Sequence, residues 1–111
     1  MTNILEILKQ YKIDPSTSSS YLLMCDILSG LDNNIIESQK FVLFQHLEEN
    51  EEIEYEIKWK SVCCLILPEY VGVYALHANN KFESVKFKTD EVNKICEKLN
   101  LLLTIKNAEI F

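Results

Sequence analysis

The hydrophobic period of this chain changes from helical to strand-like near residue 50, and that change constrains the fold class more than any other feature. Ile53, Tyr55, Ile57 and Trp59 alternate with Glu54, Glu56, Lys58 and Lys60. Successive side chains of a strand point to opposite faces, so this spacing predicts a strand with one buried and one wet face. Before it, apolar residues recur at helical spacing. After it come a continuous apolar run, a second strand pattern and a hairpin signal.

In the first half, Asn3 and Glu6 have capping-box spacing, and Ile4, Leu5, Leu8 and Tyr11 predict a helix over about 3–12. Asp14-Pro15 is a start signal for a second helix, which the Ser16 to Ser20 run can delay to about Ser18. Its apolar face is Tyr21, Leu22, Cys25, Leu28 and Leu31, and Gly30 is the expected stop. Asn34 and Glu37 again have cap spacing. Ile36, Lys40, Leu43 and Leu47 form a stripe, which Phe41, Val42 and Phe44 widen to most of the circumference. That pattern predicts a third helix over about 35–49, buried on two sides.

In the second half, Val62 to Leu67 is apolar throughout and reads as a central strand covered on both faces. A bend near Lys60-Ser61 precedes it and Pro68-Glu69 ends it. Val71 to His77 is the next strand, and Asn79-Asn80 suits a tight hairpin turn. Val85 and Phe87 then point inward while Ser84, Lys86 and Lys88 point out. Thr89 is expected to cap a helix carrying Val92, Ile95, Cys96 and Leu99, with Asn100 closing it and Leu101 to Ile105 as a last strand. The expected class is α+β in one domain, 1–111: about three N-terminal helices on one face of a largely antiparallel sheet of four to five strands, with one further helix before the last strand.

Charge is split along the chain. Residues 1 to 56 hold eleven acids against three lysines, a formal −8, whereas residues 57 to 111 carry +2 and the whole chain −6. None of the eleven basic residues is an arginine. Such a field repels nucleic acid, which is usually gripped by arginine forks. Lys81, Lys86, Lys88, Lys94 and Lys98 gather on the hairpin and the final helix, and are expected to answer the acidic half within the molecule or across a dimer contact.

Several chemistries lack their sequence signs. Two glycines make no phosphate loop and no nucleophile turn. Cys25, Cys63, Cys64 and Cys96 have no ligand spacing and are expected to be reduced, buried thiols. His46 and His77 are expected to be ordinary hydrogen-bonded residues. No apolar run is long enough to cross a membrane and no leader pattern opens the chain, so the expected compartment is the cytoplasm. No cofactor and no metal are expected.

What remains is a dense acidic cluster: Glu48, Glu49, Glu51, Glu52, Glu54 and Glu56. With Tyr55 and Trp59 as anchors, it is the expected contact surface for a basic protein partner. The expected function is non-enzymatic inhibition of such a partner (a toxin, nuclease or defence effector) by occlusion of its charged groove. Immunity proteins and phage-type inhibitors of host defence enzymes share this size and charge, which is analogy and not membership. The alternative is a homodimeric chaperone or structural interaction module whose sheet, carrying Val62 to Leu67 and Val71 to Leu76, pairs across a two-fold axis.

Overall fold

A computed structural model describes residues 3–48 and 52–108 of the 111. The helical elements before the sheet are α1 (Ile4–Gln10), α2 (Ser19–Gly30) and α3 (Asn33–Ser38). The sheet comprises β1 (Val42–Gln45), β2 (Tyr55–Lys58), β3 (Val62–Ile66), β4 (Tyr70–Leu76) and β5 (Phe82–Lys88). Helix α4 (Val92–Ala108) closes the described chain. The class is α+β, as the period change implies, and each strand pairs antiparallel with its sequence neighbour in the order β1-β2-β3-β4-β5.

Local chemistry sets the element ends. Asn3 caps α1 by accepting from the Leu5 amide at 3.0 Å. At its other end Lys12 sits in the left-handed region (φ 56°), and the Ile13 amide donates to Leu8 O at 2.9 Å. That closure matches the six-to-one bond of a Schellman motif, with buried Ile13 and Leu8 as its apolar pair. Helix α2 starts after the serine run, where Ser18 accepts from the Tyr21 amide at 3.2 Å. Asn80 takes a positive φ of 64° in the β4–β5 turn, the conformation asparagine tolerates best after glycine.

Three expectations fail, each because tertiary contact overrides local pattern. The third helix stops at Ser38 and 42–45 is a strand, with Leu43 opposite Ile57 and Phe44 opposite Glu56. Phe41 to Phe44 is apolar at every position, which fits a buried helix and equally a strand whose two faces are both apolar. Second, Asn100 does not end α4. Its side chain accepts from the Asp32 amide at 2.9 Å and donates to Gly30 O at 3.4 Å, so it ties α4 to the end of α2. Third, 101–105 is helix, so the final helix follows the last strand. Leu99, Leu102 and Leu103 are all buried, the i, i+3, i+4 signature of one helical face.

The core lies between the sheet and the helices. Ile57, Cys64, Val73 and Ala75 face Met24, Ile27, Ile95, Leu99 and Leu103 across it, all of them 0–1% exposed. Helices α2 and α4 approach so closely that a Cβ on Gly30 would lie 2.5 Å from Cys96 Sγ. Gly30→Val should therefore cost about 1–3 kcal/mol by overpacking, read by urea denaturation, and Cys96→Ala should recover part of the loss. The helical phase of α4 also predicts opposite outcomes at neighbouring leucines. Leu103→Ala should cost about 2–5 kcal/mol, whereas Leu101→Ala, 56% exposed, should stay within about 0.5 kcal/mol. A strand would have placed both residues on one face.

Candidate functional site

The register divides the sheet into two unlike faces. Toward the helices point Leu43, Tyr55, Ile57, Trp59, Cys64, Ile66, Val71 and Val73, all buried. The opposite face has no helix on it among the described residues. One row across it reads Phe44, Glu56, Leu65, Gly72, Lys86, and the next reads Val42, Lys58, Cys63, Tyr74, Ser84. Beyond these, Leu76 lies opposite Phe82. Phe44, Leu76 and Phe82 are 46%, 50% and 66% exposed. Tyr74 and Phe82 stack at 6.0 Å, and a Cβ on Gly72 would lie 2.7 Å from the Tyr74 ring. The hydroxyl end of the Tyr74 ring thus occupies the space that a side chain at 72 would take.

The acidic segment runs along one end of this face. Glu49 and Glu51 lie outside the described residues. Glu48 and Glu52 are exposed, and Glu54 and Glu56 are half-buried on and beside β2. Glu56 meets His46 Nε2 at 3.3 Å. Glu52 and Glu54 join a glutamate that the sequence pattern did not single out, Glu69, in a pocket of about 250 Å³ completed by Leu67, Pro68 and Tyr70. The antiparallel return of β3 into β4 brings Glu69 there. A sequence signal existed, since Pro68-Glu69 marks the turn, but only the strand pairing places that turn beside residue 54.

Tyr55 and Trp59 do not serve as exposed anchors. Both are 4% exposed and point into the core. Tyr55 meets Tyr21 edge-on at 6.1 Å, and Trp59 lies 5.8 Å from Phe41. The alternation that identified β2 as a strand puts 55, 57 and 59 on one face, and the helices cover that face. The Trp59 indole N–H is buried without a hydrogen-bond partner among the described residues, which adds to the cost of the site. Among the described residues, the exposed phenylalanine rings are those of Phe44 and Phe82.

Three of the lysines expected to answer the acidic half meet partners in their own half of the chain. Lys98 pairs with Glu83, which also meets His77 Nε2 at 2.9 Å, and Lys94 pairs with Glu91 at 3.0 Å. Lys86 Nζ stands 4.5 Å over the Tyr70 ring, a cation–π distance. Burial pushes all four thiols above their ordinary range, most strongly Cys64. That is opposite to the depressed pKa of a nucleophilic cysteine. Among the described residues no three His, Cys, Asp or Glu side chains converge as a metal site, and no helix is long and apolar enough to cross a membrane.

Hydrogen bonds from Lys98 and His77 hold the Glu83 carboxyl below its ordinary value of 4.5. A carboxyl lowered on folding stabilises above its unfolded pKa and loses that contribution as pH falls through its folded pKa. The stability gap between the native chain and Glu83→Gln should therefore be widest near neutrality and shrink below about pH 4.5, as read by thermal melts from neutral to acid. A gap independent of pH would show that the carboxylate charge contributes nothing. Compared with known proteins, the chain matches no family model, no curated protein and no solved structure.

Proposed function

We propose that this chain is a protein-binding module without chemistry of its own, and that it takes a basic segment of a partner protein. The observation that carries this reading is the pocket at the end of the sheet, where Glu52, Glu54 and Glu69 stand around Leu67, Pro68 and Tyr70. A lysine or arginine side chain has the matching form: an apolar stem that packs on Leu67 and Pro68, and a cation for the carboxylates. The Tyr70 ring already accepts one cation, Lys86 Nζ. At such an exposed rim, charge speeds encounter more than it adds affinity.

A toxin, nuclease or defence effector is a natural partner on this reading. Its groove holds phosphates with lysines and arginines, and a protein that fills the groove with carboxylates inhibits it by occlusion. The compact acidic body, net −6, repels the nucleic acid that the same groove would otherwise hold.

A fluorescein-labelled peptide rich in lysine and arginine is the probe, with anisotropy at low and moderate salt. Three part-exposed charge contacts of roughly 0.5 kcal/mol each make about a tenfold loosening when Glu52, Glu54 and Glu69 all become glutamine. The control changes Glu6, Asp90 and Glu97 to their amides. All three are exposed and outside the pocket, and the net charge is the same. The control should loosen binding less than about threefold. Equal loss in the two variants would mean that only total charge matters and would overturn the reading.

A further inference from the structure

We infer that the uncovered face of the sheet is a contact between two copies of this chain, packed face to face about a two-fold axis that runs across the strands. The face is apolar where a solvated one would be polar: Val42, Phe44, Leu76 and Phe82 are 37–66% exposed, with half-buried Leu65 and Tyr74 between them. Five strands ~4.8 Å apart, each of about five residues rising ~3.3 Å, make a face on the order of 400 Å² in projection. Side-chain relief adds to the accessible area, bringing it toward the ~800 Å² per partner of a standard interface. Residues 62–67 carry the continuous apolar run of a strand covered on both sides, yet the helices of one copy cover one side only.

The charges on the face select a second copy as its occupant. Outward positions of β2 and its flanks read Glu54, Glu56, Lys58, Lys60, two acids and then two bases. A two-fold axis across the strands lays β2 over its own reversed copy, so Glu56 of each chain comes level with Lys58 of the other. The same operation stacks the two rows of the face on one another. Phe44 then covers Val42 of the second copy, Leu65 covers Cys63, Lys86 meets Ser84, and no like charges oppose. An axis along the strands would instead lay Phe44 over Lys86 and lose the match. Gly72 adds no side chain of its own to the face, which suits the ~10 Å spacing of stacked sheets.

This contact gives the sheet pairing expected through 62–67 and 71–76 its form, face to face. Those segments are the central strands β3 and β4, hydrogen-bonded on both sides, and have no edge to offer. It is also independent of the basic-segment reading, because the axis sends the two glutamate pockets to opposite ends of the dimer.

Sedimentation equilibrium from about 5 to about 500 µM tests the inference over the range that separates weak from moderate affinity. The native chain is expected to dimerise within that range. Leu65→Glu, in the middle of the face, is expected to be monomeric with an unchanged far-ultraviolet circular dichroism spectrum. Glu56→Lys and Lys58→Glu, each alone, set like charges across the axis twice and are expected to weaken the dimer at least about tenfold. The double variant Glu56→Lys/Lys58→Glu restores opposite charges and should return to within about threefold of native. A native chain monomeric at the highest concentration would overturn the inference and leave the face to a different protein. A dimer indifferent to Leu65→Glu, or a double variant no better than the singles, would overturn it equally.

Discussion

Burial of one sheet face under two helices is the interaction on which the rest of this molecule depends. Ile57, Cys64 and Val73 lie side by side on three neighbouring strands, each no more than 1% exposed. Helices α2 and α4 cover them, and they can do so only because they nearly touch at Gly30 and Cys96. The Cys96 thiol points at Ile27 O at 3.5 Å, and Asn100 binds the backbone where α2 ends. A fully buried aliphatic side chain contributes roughly 1.5–3 kcal/mol, so this layer outweighs any exposed ion pair in the structure.

That layer also accounts for what the sequence conveys and what it hides. Alternation at 53–60 identified β2 and its inward face, because one side of that strand meets oil and the other water. Position 100 shows the opposite case. An asparagine after a helical run resembles a stop, and only the packing of α2 reveals that its amide reaches a neighbouring helix. Residues 41–44 failed for a further reason. A strand with apolar residues on both faces has no period, so Val42 and Phe44 read as the far side of a helix. The same lack of period at 62–67 gave the correct element, since the run is short and bounded by Pro68.

The candidate site was partly legible for related reasons. Glu52 and Glu54 are visible as charge density. Glu69 is not, because it joins them through a strand pairing that spans fifteen residues in sequence. Tyr55 and Trp59 were attractive anchors as large amphipathic rings near the acids. Their parity with Ile57 sends them inward, and parity along a strand is a stronger constraint than proximity in sequence. Among the described residues, the exposed phenylalanines, Phe44 and Phe82, come from the strands at the two edges of the sheet, β1 and β5.

Edges and faces of a sheet invite different associations, and this chain treats them differently. Edge strand β1 has four residues, and edge strand β5 carries Lys86 and Lys88 beside an exposed turn. Short length and lysine are the usual guards against edge-to-edge pairing. On the broad face between those edges the charged residues Glu56, Lys58 and Lys86 sit among apolar positions, and in the proposed dimer Glu56 of each copy opposes Lys58 of the other. In the proposed dimer the edges stay guarded while the faces meet, and the glutamate pockets, at opposite ends, stay open to the basic segment proposed as their ligand.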